Sequence, residues 1–147
     1  MYVYFVFLQA IRLNKLKKVK EFLYKIPAYL PTVIVLMLLF YLTLVPQPLP
    51  PIDVPILNLD KVVHIIMMGG VSFTVMFDYK RRERQRVLSL SVKLYVLVGT
   101  IALGAFIELA QGTEFIHRGC DLWDGVANAL GCLLSFFISP PILRRLL

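Results

Sequence analysis

Asp60 and His64 stand four residues apart, Glu108 and Gln111 three apart, and Asp121, Asp124 and Asn128 follow one another at intervals of three and four. Each of these spacings gathers its side chains on one face of a helix. Lys61, His117 and Arg118 add cations and a second imidazole. Carboxylates beside an imidazole suit acid–base work, with Asp124 or Glu108 as base and His64 as its partner. A lysine and a planar guanidinium suit an anion clamp. Ser72, Ser89, Ser91, Ser135 and Ser139 all fall away from this set, which leaves Cys120 as its nearest nucleophile. The inventory fits hydrolysis or group transfer on a lipid-linked substrate, and equally a binding cleft without chemistry.

Four apolar stretches have to position these residues. Of the 147 residues, 59% are hydrophobic and 17% charged, and the mean hydropathy of +0.75 is too high for a soluble domain of this size. Spans are expected at about Ala28 to Val45, Asp60 to Phe77, Leu94 to Gln111 and Leu122 to Ile138. The last is expected to stop at Pro140-Pro141. Five prolines between Pro46 and Leu57 make a stiff connector, and Asp78 to Arg86 reads as a charged turn. Ahead of the spans, Arg12 to Lys25 interleaves six basic residues with Leu13, Leu16, Val19, Leu23 and Ile26 at helical spacing. This fits a helix lying on the membrane surface or a plain basic flank to the first span. Met1 to Ile11 lacks a basic leader and a clear cleavage site, so no cleaved signal peptide is expected.

The net charge of +7 raises nucleic acid as a partner, yet the basic residues flank apolar spans and form no stripe on a soluble fold. Anionic lipid headgroups are the expected partners, and nucleic acid is not. Of 16 Lys and Arg, 14 lie before the first span, between the second and third, or after the fourth. Only Lys61 and Arg118 stand at the other side. The positive-inside rule then puts both termini and the Asp78 to Lys93 loop in the cytoplasm. The carboxylate, amide and imidazole side chains gather at the outward ends of three spans, where ionisable groups are costly and mark a candidate site.

Structural readings compete at each position. Asp60 stands where an N-cap would, and Lys61 can snorkel to headgroups. Asp121 can cap the fourth span, with Trp123 as an interfacial anchor. Asn128 can serve as interhelical glue, and Glu108 can belong to an ion pair that locks the helices. Ala127, Gly131 and Ser135 form a small-xxx-small series, Gly104 lies one turn before Glu108, and Gly69-Gly70 either admits a close neighbour or bends its helix. On one helical path Cys120 and Cys132 would lie about 18 Å apart, so a disulfide between them is not expected. No Cys-x-x-Cys or paired-His spacing suggests a metal, so neither metal nor cofactor is expected.

Taken in order, Asp60-Lys61-x-x-His64, Glu108-x-x-Gln111, Arg118 with Leu122-Trp123-Asp124, and Asn128-x-x-Gly131 resemble the VanZ-like membrane protein family from Asp60 to the end of the chain. Where that pattern has an acidic pair before x-x-Gln, this chain has Ile107 followed by Glu108, and Asp121 is an extra carboxylate. The resemblance implies a small multi-span bacterial membrane protein in a family named for low-level teicoplanin resistance. It implies no particular reaction.

The resulting expectation is an all-α integral membrane four-helix bundle over residues 28–147, preceded by a basic interfacial segment over residues 1–27. Its outward polar cleft is expected to recognise an anionic envelope lipid, a lipid-linked glycan or a glycopeptide, with Asp60, Lys61, Gln111, Arg118, Asp121 and Asn128 binding. The alternative is a hydrolase or transferase on an outer-leaflet lipid, with Asp124, Glu108 and His64 catalytic. Whether it is an enzyme is left open by the sequence.

Overall fold

The structure, a computed structural model, describes residues 14, 17–45, 59–83, 87–113 and 121–147. These are helical throughout apart from short connections, with no strand among the described residues. We label the helices α1 (Lys17–Lys25), α2 (Leu30–Leu44), α3 (Leu59–Glu83), α4 (Leu90–Gln111) and α5 (Leu122–Leu146). The all-α bundle expected from hydropathy is present.

Helices α3, α4 and α5 are each long and apolar enough to cross a membrane. The protein is therefore an integral membrane protein. Helix α2 has only 15 residues, roughly 22 Å at the helical rise, which falls short of a bilayer core. A fourth crossing requires α1 and α2 together, and they meet at a 69° bend. At that bend Tyr29 adopts a left-handed backbone with φ 63°, rare for a bulky side chain. Arg82 holds it there: its Nη1 donates to Tyr29 Oη at 2.6 Å and its guanidinium lies over the ring.

The core is built on the α3–α5 seam, the most extensive helix contact in the fold. A Cβ on Gly131 would lie 2.3 Å from the Ile65 carbonyl oxygen, and one on Gly69 would lie 3.2 Å from the Gly131 oxygen. The two backbones thus touch where neither residue carries a side chain, which decides the role of Gly69 as close approach. Helix α4 joins at Gly104, where an added Cβ would crowd Asn128 at 3.1 Å. Ala127, Gly131 and Ser135 are all buried along the same stripe of α5.

Three boundaries differ from the sequence reading. The segment from Asp78 is no turn: α3 continues to Glu83, and Asp78, Lys80 and Arg81 are buried. Asp78 accepts from the Thr32 backbone N–H (3.2 Å), the Thr32 hydroxyl (2.6 Å) and Arg81 (2.9 Å). Arg81 also donates to the Leu23 and Pro27 carbonyls. One ion pair therefore caps the start of α2 and satisfies carbonyls near the end of α1. Pro140 and Pro141 do not end α5, which runs on to Leu146. Leu143 explains the continuation, since it is fully buried against Met76, Phe77 and Leu88. Asp60 is not an N-cap: Leu59 is already helical, and Asp60 lies in the first turn as an acid favoured by the helix dipole.

Candidate functional site

Because α3 and α5 start at the same end of the bundle at which α4 finishes, the tips of three helices pool their polar side chains there. Of the titratable side chains, Glu108 lies deepest at 7% side-chain exposure, followed by His64 at 11% and Asp124 at 13%. Asp121 and Asp60 are the outer members, 48% and 65% exposed.

A hydrogen-bonded chain runs through the deep part. Asn128 Nδ2 donates to Glu108 Oε1 at 2.9 Å. In that orientation the Asn128 carbonyl oxygen faces His64 Nδ1 at 3.0 Å. An amide oxygen only accepts, so Nδ1 must carry the proton of this contact. His64 Nε2 is then the ring atom open to the outer carboxylates, 3.6 Å from Asp124 Oδ2 and 3.9 Å from Asp60 Oδ1. Glu108 Oε2 is buried and has no hydrogen-bond partner among the described residues.

Lys61 sits one position from Asp60 and turns to the other side of the cluster. Its ammonium donates to both Asp121 and Asp124. The lysine beside Asp121, helped by the Trp123 backbone N–H, holds that carboxyl below the usual carboxylate range. Asp121 also caps α5, its Oδ1 accepting from the Trp123 N–H at 2.9 Å. The sequence reading of Asp121 as N-cap thus stands together with its place in the cluster. Trp123 is exposed at this end.

Six of the predicted residues therefore meet Glu108 or one another directly: Asp60, Lys61, His64, Asp121, Asp124 and Asn128. Gln111 departs. It is buried, but its amide donates to the Thr43 carbonyl at 2.9 Å, so it binds α4 to α2. Arg118, His117 and Cys120 lie outside the described residues. Asp60, His64 and Asp124 offer one ligand atom each within 4.8 Å of one another, a spacing open to a divalent cation, although Lys61 already holds the other oxygen of Asp124. The sequence reading brought these three residues to one end of the bundle but not to ligand spacing, because the ligand atoms come from two helices.

A groove of about 400 Å³ adjoins the cluster along the α3–α5 seam. Lys61 forms its polar end, and Ile65, Trp123, Val126, Ala127 and Leu130 form its apolar walls. Fold and site together define an integral membrane protein with a carboxylate–imidazole cluster set into one end of its helix bundle. Comparison with protein-family models, with curated proteins and with solved structures found no match.

Proposed function

We propose that this is a VanZ-like protein of the bacterial cell membrane, with both termini cytoplasmic, that binds a lipid-linked envelope ligand at its outward end. The observation that carries this reading is the groove, which joins an apolar wall to a charged tip. An acyl or prenyl chain lies along Ile65, Val126 and Leu130, and the polar head meets Lys61, Asp121, Asp124 and His64. Among the described residues, the carboxylates at the tip outnumber the cations. A glycan or glycopeptide head, rich in hydroxyl and amine donors, meets that excess better than a bare anion does. Binding of this kind would alter susceptibility to glycopeptides such as teicoplanin by sequestering the lipid-linked ligand.

Native mass spectrometry of protein extracted from its membrane tests this. Val126→Trp fills the groove from an exposed position and leaves every charged residue of the tip in place. It is expected to strip the copurifying lipid-linked species while leaving the fold intact. Retention of the same species at the same occupancy would sink the proposal.

The alternative of an enzyme is favoured by one feature, the fixed imidazole. With Nδ1 held by Asn128, Nε2 is presented for proton transfer beside Asp124. Asp124→Asn and Glu108→Gln then cost about 10²-fold or more in turnover of an outer-leaflet lipid. An unchanged envelope lipid profile in cells producing either folded variant removes this alternative.

A further inference from the structure

At the opposite end of the bundle a second cavity, of about 570 Å³, is lined by Lys80, Arg144 and Arg145 together with Val87, Leu88 and the rings of Pro140 and Pro141. We infer that it is a binding site for a phosphate group, supplied by the headgroup of an anionic phospholipid or by a soluble phosphate ester.

The charge arrangement carries the inference. Lys80 is buried, at 4% exposure. Its ammonium donates to the Leu143 carbonyl at 2.7 Å, which uses one of three donors. Lys20 and Arg144 are near enough to act on it with like charge. Among the described residues, neither Lys80 nor either arginine forms an ion pair with a carboxylate. Asp78 is engaged by Arg81 and Thr32, and Glu83 lies 4.0 Å from Arg82. Three cations thus border one cavity without a partner anion, and for Lys80, the buried one of the three, an unpaired charge is costly unless an anion enters. The plain alternative is that they complement the negative end of the α5 dipole. That accounts for the contact between Lys80 and Leu143 but not for the room the cations enclose.

The walls fit the same ligand. Val87, Leu88 and the two prolines offer an apolar surface for the carbon skeleton of a phosphate ester. The cavity opens where α3 and α5 end, and the ends of membrane helices are where basic residues meet phospholipid headgroups. Basic pockets between membrane helices bind anionic headgroups in this way. This site is independent of the one proposed above, because no residue is shared between them.

The test uses the full chain in detergent, titrated with phosphatidylglycerol, phosphatidylcholine, glycerol phosphate and inorganic phosphate, and read by native mass spectrometry. Arg144→Ala with Arg145→Ala removes two exposed cations and spares the buried Lys80. Lys17→Ala with Lys18→Ala removes the same charge from exposed positions of α1. Phosphatidylglycerol is expected to bind the parent at least tenfold more tightly than phosphatidylcholine. The arginine variant is expected to lose roughly tenfold or more of that affinity, and the lysine variant to keep it. Binding of glycerol phosphate or inorganic phosphate that is lost with the same arginines supports the site and assigns a soluble source. Equal loss in both variants, unchanged binding in the arginine variant, or no preference for any phosphate anion overturns it.

Discussion

Asn128 is the residue on which the deep end of the site turns. Its amide faces a carboxylate on one side and an imidazole on the other, and in the orientation seen it donates to the first and accepts from the second. Neutral His64 is accordingly expected as the Nδ1–H tautomer, which nitrogen chemical shifts will report. Asn128→Ala should mix the tautomers and cost about 1–3 kcal/mol in detergent unfolding, since two buried polar groups lose partners. Asp121 allows a prediction in pH. Its folded carboxyl titrates below the usual range, so its bridge to Lys61 contributes fully above that range and is lost as pH falls from that range through the depressed folded value. The difference in melting temperature between the parent and Asp121→Asn should therefore be largest at neutral pH. It should shrink on acidification below about pH 4. A difference that grows on acidification would contradict the bridge. The spacing of Asp60, His64, Glu108, Asp124 and Asn128 was readable before any fold was known. The departure of Gln111 toward Thr43 was not, because nothing in the α4 sequence says which neighbour its buried face meets.

Among the elements, α3 and α5 depend on a backbone contact that no side chain can occupy. Gly131→Ala places a methyl group 2.3 Å from the Ile65 oxygen, so the helices must part. A loss of about 3 kcal/mol or more is expected in denaturant titration of detergent-solubilised protein. Gly99→Ala is the control. An added Cβ there meets nothing within 4 Å, and the change should be neutral or stabilising by up to about 1 kcal/mol. Asp78→Ala tests the other junction. It leaves the Arg81 guanidinium buried without its carboxylate, at a cost of about 3–5 kcal/mol, and should release α1 and α2 to proteolysis before α3 to α5. The sequence reading took Asp78 for part of a turn because charge at a span end ordinarily faces water. Its partners lie 46 residues back at Thr32, too remote for local pattern to show.

For the molecule as a whole, the charge asymmetry makes the orientation of the bundle a prediction. With Cys120 replaced by alanine, a membrane-impermeant maleimide applied to intact cells should label Thr113→Cys. It should label Glu83→Cys only after the membrane is opened, since both positions are exposed and stand at opposite ends. The reverse pattern would turn the polar cluster to the cytoplasm and end the reading of an envelope ligand.

Hydropathy and composition alone determined that this chain is a helical membrane protein. They also determined that its polar residues cluster near one end of the spans, because transfer of a helix into lipid sums over its own residues and needs no partner. Helix packing decided the rest. The Gly69–Gly131 contact sets the depth at which α3 meets α5. That depth places His64 against Asn128 and Asp124, and leaves Lys80, Arg144 and Arg145 around a common cavity. Such pairings depend on distances between helices, which no single helix encodes.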